Sequence, residues 1–177
     1  MRIISGIHKS ILLNAPKGLP VRPTTDRSKE SLFNIIENNF DIEQLTVLDI
    51  FSGTGNIAYE FCSRGAKHVD AVDLNEKCVA FIKQTKIKLK LEQLFPLKKD
   101  AYSYLKNCTN KYDIIFADAP YANKHIIEIP RLVIENKLLN AKGWLIVEHE
   151  THLDLTTEKG FFDKRIYGQS AFSFFTI

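Results

Sequence analysis

The tetrapeptide Asp118-Ala119-Pro120-Tyr121 follows the most hydrophobic segment of the chain, Tyr112-Asp113-Ile114-Ile115-Phe116-Ala117. Its groups suit one demanding reaction. An exocyclic amine on a nucleobase is a poor nucleophile, because its lone pair is delocalised into the ring. The Asp118 carboxylate and the Ala119 carbonyl can each accept one N–H. That holds the nitrogen pyramidal, with its lone pair directed at a sulfonium methyl group. Tyr121 can stack on the base. Asp-x-Pro is also a common turn, so the motif gains meaning only beside a cofactor site.

Such a site is legible upstream. Asp49-Ile50-Phe51-Ser52-Gly53-Thr54-Gly55 lies where a strand runs into a helix. Gly53 and Gly55 let the backbone turn sharply and lie against a ligand. Gly53-x-Gly55-x-x-Ala58 also satisfies the dinucleotide pattern G-x-G-x-x-G/A. Asp73, followed by Leu74, ends the next strand, where a carboxylate can accept both hydroxyls of a ribose. Asp100, followed by Ala101, ends a third strand; it suits either an adenine amine or a helix N-cap. NAD and S-adenosyl-L-methionine both carry such a ribose. A nicotinamide enzyme has no use for the tetrapeptide, so the methyl donor is preferred. His149 and His152 point to opposite faces of a strand with no third ligand evident, so no metal is expected. The run Glu148 to His152 reads as ordinary polar residues after a strand. Cys62 and Cys78 fall in expected helices and read as buried apolar groups.

The chain has 177 residues, 45% hydrophobic and 25% charged, the mix of one soluble domain. Three cysteines without a C-x-x-C pair argue against a disulfide framework and for a reducing cytoplasm. No apolar run is long enough for a membrane span, and the start is not a signal peptide. Net charge is +3, unevenly spread. Residues 1–30 carry Arg2, Lys9, Lys17, Arg22, Arg27 and Lys29 against Asp26 and Glu30. Lys77, Lys83, Lys86, Lys88, Lys90, Lys98 and Lys99 face only Glu92 between residues 77 and 99. Such patches fit a polyanion, although lysines also simply solvate helix faces.

Ile3-Ile4 and Ile11-Leu12-Leu13 suggest a small hairpin, followed by a Pro- and Gly-punctuated loop. A helix is expected after Thr25, with Asp26 as its N-cap. Strands are expected at 46–50, 68–73, 94–99, 112–117 and 144–147, alternating with helices at 57–64, from 76, at 101–107 and at 125–136. Pro130 should kink the last helix or delay its start. Residues 165–176 read as an antiparallel hairpin. Alternating strands and helices imply a parallel sheet covered on both faces. The expected organisation is a basic extension at 1–25 and one domain at 26–177.

The order of motifs resembles class I S-adenosylmethionine-dependent methyltransferases. More narrowly, it resembles the bacterial RsmD-type small-subunit rRNA guanine-N2 methyltransferases. Met1-Arg2-Ile3-Ile4-Ser5-Gly6 is similar to the family's opening M-R-I-I-x-G. Arg22-Pro23-Thr24-Thr25-Asp26-Arg27, with Glu30, Leu32 and Phe33, is similar to its R-P-T-x-D-R-x-x-E-x-L-F segment, which lies beside the cofactor. Asp49-x-Phe51-Ser52-Gly53-Thr54-Gly55 matches its D-x-F-A/S-G-S/T-G loop. Glu148-His149-Glu150 resembles its V-E-x-x strand ending, and Gly168-Gln169 its closing hairpin. Ala119 departs from the usual D-P-P-Y/F; its carbonyl is kept, but the φ restraint of proline is lost.

The resemblance implies a Rossmann-like three-layer α/β/α sandwich. Its seven-stranded sheet is mostly parallel, with one antiparallel strand from the C-terminal hairpin. It implies methyl transfer to N2 of a guanine in 16S rRNA, within the small subunit or an assembly intermediate, by a cytoplasmic monomer. Thr25, Asp26, Arg27, Asp49, Phe51, Gly53, Gly55, Asp73, Leu74, Asp100, Ala101 and Asp118 would hold the cofactor. Asp118, Ala119, Pro120 and Tyr121 would hold the base, and Lys9, Lys17 and Arg22 the RNA. Adenine-N6 methylation uses the same tetrapeptide and is the nearest alternative. A non-catalytic RNA-binding or assembly factor is another, and a nicotinamide-dependent dehydrogenase comes third.

Overall fold

The computed structural model describes residues 1–16, 18, 19, 24–120 and 125–177. Lys17, Arg22 and Tyr121 therefore lie outside the described residues. Seven strands form one sheet: β1 (Thr46–Ile50), β2 (His68–Asp73), β3 (Leu94–Lys98), β4 (Tyr112–Asp118), β5 (Leu139–Glu150), β6 (Phe161–Tyr167) and β7 (Ser170–Phe175). The order across the sheet is β3-β2-β1-β4-β5-β7-β6. Strands β1 to β5 run parallel, and β7 runs antiparallel to both its neighbours.

Alternation along the strands assigns each side chain to one of two cores. On one face Val47, Val69, Ala71, Ile114, Phe116, Ile146, Phe172 and Phe174 pack against α1 (Asp26–Glu37), α2 (Asn56–Ser63) and α3 (Glu76–Leu89). On the other, Leu48, Ile50, Val72, Ile115, Ala117, Leu145, Val147 and Phe175 pack against α4 (Ala101–Asn107) and α5 (Glu128–Glu135). This is the three-layer sandwich that the alternating pattern predicts.

Several element boundaries differ from the sequence reading, and three places show the physical reason for the observed bounds. Thr25, not Asp26, caps α1, and its hydroxyl accepts the Ser28 N–H at 3.1 Å. The hydroxyl sits close to the first turn, which leaves Asp26 as the first helical residue. α5 starts late, one of the two outcomes expected of Pro130, which falls in its first turn, where its missing N–H breaks no helical hydrogen bond. β5 begins five residues before Trp144, because Leu139 pairs with Tyr112 ahead of an irregular step in the register.

Residues 1–13 fold back on themselves, with an antiparallel bridge between Arg2 and Leu12. Ile3 and Leu13 enter the α1–α3 core. The segment is fastened by Glu60 of α2, which is fully buried. Its carboxylate accepts the backbone N–H of Ile4 at 2.8 Å and of Ser5 at 3.0 Å. It also pairs with Lys29 of α1 at 3.2 Å and Arg64 at 2.9 Å. Lys29 is fully buried as well, and donates to the Arg2 carbonyl and to Asn56. Burial holds the Lys29 ammonium below its ordinary pKa, against the opposing pull of Glu60. Gly6 lies so close to α2 that a Cβ would overlap the Ser63 carbonyl.

Asp49, near the end of β1, is buried, and its Oδ2 accepts the Ala58 N–H of α2 at 3.0 Å. Desolvation pushes its pKa up to about 8, although that hydrogen bond opposes the rise.

Glu60→Ala should lower the unfolding free energy by about 3–5 kcal/mol, because Lys29 is left buried without its counter-ion. Urea denaturation measures it, and a loss below about 1 kcal/mol would contradict the anchoring role. For Asp49 the folded pKa lies above the unfolded one. Between about pH 4 and about 8 the folded state therefore binds more protons, and stability falls as pH rises. Asp49→Asn removes the titration and should flatten that fall, as read by urea midpoints across the same pH range.

Candidate active site

The strand order reverses between β1 and β4. The connection after β1 leads to α2 on one face, and the one after β4 leads to α5 on the other. A crevice must open at their carboxyl ends. It holds a cavity of about 1210 Å³, larger than most single-ligand pockets. Asp49, Phe51, Gly53, Asp73, Leu74, Asp100, Ala101, Asp118, Ala119 and Pro120 all line it, as do Thr25 and Arg27. The sequence scatters these residues over nearly a hundred positions.

The turn after β1 is built from unusual backbone. Phe51, Gly53 and Gly55 take φ of 62°, 52° and 86°. A positive φ on an aromatic residue is strained. Phe51 is steadied by an edge contact with the Tyr102 ring, centroids 5.7 Å apart. At Gly55 a Cβ would meet the Tyr59 ring at 2.8 Å. The turn is tied to β2 by Asp73, whose Oδ2 accepts the Gly53 N–H and whose Oδ1 accepts the Asn75 N–H, both at 2.8 Å. Each oxygen keeps a further lone pair for a ligand hydroxyl. Asp100 caps α4 by accepting the Ser103 N–H at 2.8 Å, so the N-cap role is real; one carboxylate oxygen is left for other duty.

The wall fits an adenosyl cofactor. Ser52 Oγ is buried in it with no hydrogen-bond partner among the described residues. Leu74 is an exposed apolar side chain on the same wall, suited to one face of an adenine. Beside it stand the carboxylates of Asp73 and Asp100.

Two expected cofactor residues do not line the cavity. Gly55 is turned into α2 against Tyr59, and Asp26 faces outward to pair with Arg2 at 3.0 Å. Lys29 faces inward to Glu60, so the basic surface of the first thirty residues is smaller than the composition suggests. His149 is buried, hydrogen-bonded to Ser173 and to the Glu150 carbonyl, and burial lowers its pKa.

The structure gives a place in the site to residues that the sequence marks only as parts of motifs. Thr24 and Glu148 meet across the cavity wall, the Thr24 hydroxyl donating to Oε2 at 2.9 Å. Tyr167, Gly168, Gln169 and Ser170, at the tip of the β6–β7 hairpin, close the side beyond β5. The Glu148–Thr24 pair spans 124 positions and leaves no local signal. The in-register pairing of Asp118 with Glu148 places the latter beside the tetrapeptide.

Comparison with known proteins agrees with this geometry. A Buchnera aphidicola ribosomal RNA small subunit methyltransferase D is 31% identical over 154 residues, covering 87% of this chain and 78% of that protein. The putative rRNA methyltransferase YlbH of Bacillus subtilis is 33% identical, with 90% and 88% covered. The structure of the putative methyltransferase yhhF from Escherichia coli superposes with a TM-score of 0.86 at 26% identity, covering 99% and 96%. Residues 1–176 match the family model described as conserved hypothetical protein 95. The chain belongs to that family, the RsmD-type methyltransferases.

Proposed function

We propose that the protein transfers a methyl group from S-adenosylmethionine to N2 of a guanine in 16S rRNA. The observation that carries this reading is the single crevice uniting the β1 turn and Asp73 with Asp118-Ala119-Pro120. The names of the related proteins support small-subunit rRNA as the substrate.

When bound, the cofactor supplies an electrophilic methyl group. Asp49 shapes the turn, Asp73 receives the ribose, and Asp100 with Ala101 borders the adenine. Thr25 and Arg27 border the site from α1. Asp118 and the Ala119 carbonyl hold the two amine hydrogens, and Tyr121 stacks on a base flipped out of the RNA. Positioning is the main requirement. Asp118 or water takes the proton that the nitrogen sheds. Lys9, exposed on the N-terminal hairpin, and Lys17 and Arg22 contact RNA phosphates. The reading includes residues 1–25 as an extension of a domain at 26–177, and a cytoplasmic monomer acting on the small subunit or its precursor. Among the described residues no helix is long and apolar enough to cross a membrane.

The direct test is incubation with labelled S-adenosylmethionine and small subunits lacking the modification, followed by mapping and nucleoside analysis. N2-methylguanosine supports the reading; N6-methyladenosine favours the adenine alternative; no transfer favours a binding factor. Two variants separate holding from chemistry. Asp73→Ala should weaken cofactor binding by about 1.5–3 kcal/mol in calorimetry. Asp118→Ala should bind the cofactor nearly normally and lose roughly two to four orders of magnitude in single-turnover transfer. Full activity in Asp118→Ala would reduce the tetrapeptide to a turn. Replacing Lys9, Lys17 and Arg22 by Ala should flatten the salt dependence of RNA binding by about 0.9 in log–log slope per lost contact. An unchanged slope would make them a solvated arm.

A further inference from the structure

We infer that Glu148 reads the N1–H edge of the target base and so makes the site selective for guanine. This inference rests on the proposed guanine-N2 reading and names the residue that enforces it.

Glu148 and Asp118 are register partners on neighbouring parallel strands. Their side chains share a sheet face, because Phe116 and Ile146, two residues earlier on each strand, both lie in the α1–α3 core. Both line the cavity, and Glu148 is only 4% exposed. A carboxylate this buried needs hydrogen-bond donors to offset its desolvation. Thr24 provides one at Oε2. A carboxylate has about four lone-pair sites, so it can accept from a ligand as well.

The strand order sets the direction of reading. Asp49 lies next to the end of β1, Asp73 ends β2 and Asp100 follows β3, all on the side assigned to the cofactor. Asp118 comes next on β4, and Glu148 lies beyond it on β5. Neighbouring strands are about 4.8 Å apart. A base entering with its amine at Asp118, nearest the methyl donor, extends its Watson–Crick edge outward over β5. On guanine the next group along that edge is the N1–H donor. On adenine in the same pose it is the N1 lone pair. A carboxylate there can only accept. It therefore welcomes guanine, and it leaves adenine with two acceptors facing each other at a carboxylate that is itself buried. Thr24 is a positioning residue, since its hydroxyl fixes the carboxylate.

The test uses full-length protein, labelled S-adenosylmethionine and small subunits lacking the modification. A second set of subunits carries adenine in place of the guanine that the unaltered protein methylates. The unaltered protein should prefer guanine by about 10⁴-fold or more, as sites built around a substrate N–H do. Glu148→Gln keeps the shape and an oxygen for Thr24, but its amide can donate to adenine N1. It should cut guanine methylation and narrow the guanine-to-adenine ratio, each by roughly two orders of magnitude. Cofactor affinity and melting temperature should stay unchanged. Thr24→Val should narrow the ratio less, without touching cofactor affinity.

An unaltered protein that methylates no guanine would sink the proposed function itself. An active protein whose Glu148→Gln variant keeps its rate and base preference would overturn only this inference. Joint loss of cofactor affinity and rate in Glu148→Gln would also overturn it, making Glu148 a structural support.

Discussion

The side-by-side placement of β1 and β4 is the constraint on which the site depends. Their chains leave toward opposite faces of the sheet, one into α2 and the other into α5. Neither connection can cover the gap between them. A crevice follows from topology before any side chain is chosen. The motif residues are then placed by their position at strand ends. Asp49, Asp73, Asp100 and Asp118 lie at or just beyond the ends of four adjacent parallel strands, so they converge on one edge.

Three buried carboxylates, Asp49, Glu60 and Glu148, and the half-buried Asp73 then turn this crevice into a defined shape. Asp49 joins β1 to α2, and Asp73 holds the β1 turn through Gly53. Glu60 fastens the N-terminal segment to α1 and α2, and thereby steadies the wall that Thr25 and Arg27 contribute. Glu148 binds the loop before α1 to the end of β5 through Thr24. Each takes a carboxyl group wholly or partly out of water, and each is compensated by hydrogen-bond donors from elsewhere in the sequence. This is a costly way to build a wall, yet it fixes polar groups where apolar packing would leave them free to turn.

Charge is divided between structure and surface. Lys29 and Arg64 serve the Glu60 cluster, and Lys98 pairs with Glu76. Lys86 lies over the Phe95 ring. Lys9, Lys77, Lys83, Lys88 and Lys90 are exposed and remain available to a polyanion. The formal charge of +3 does not predict this division, because a lysine's role depends on which face its helix turns inward.

The alternation of strands and helices and the parallel sheet were legible in the sequence, because hydrophobic period and Gly or Pro punctuation act over a few residues. The sequence also marked Asp49, Gly53, Asp73 and Asp118, since their motifs sit at strand ends where any doubly wound sheet presents its ligand edge. Local pattern does not reveal that the Asp26 side chain turns to Arg2, or that Gly55 lies against the Tyr59 ring. That Lys29 is a core ion, and that Glu148 stands beside Asp118 and accepts from Thr24, emerges only from the folded arrangement. Those relations depend on strand register and on contacts across as many as 124 positions, and no local hydrogen bond or hydrophobic period encodes them.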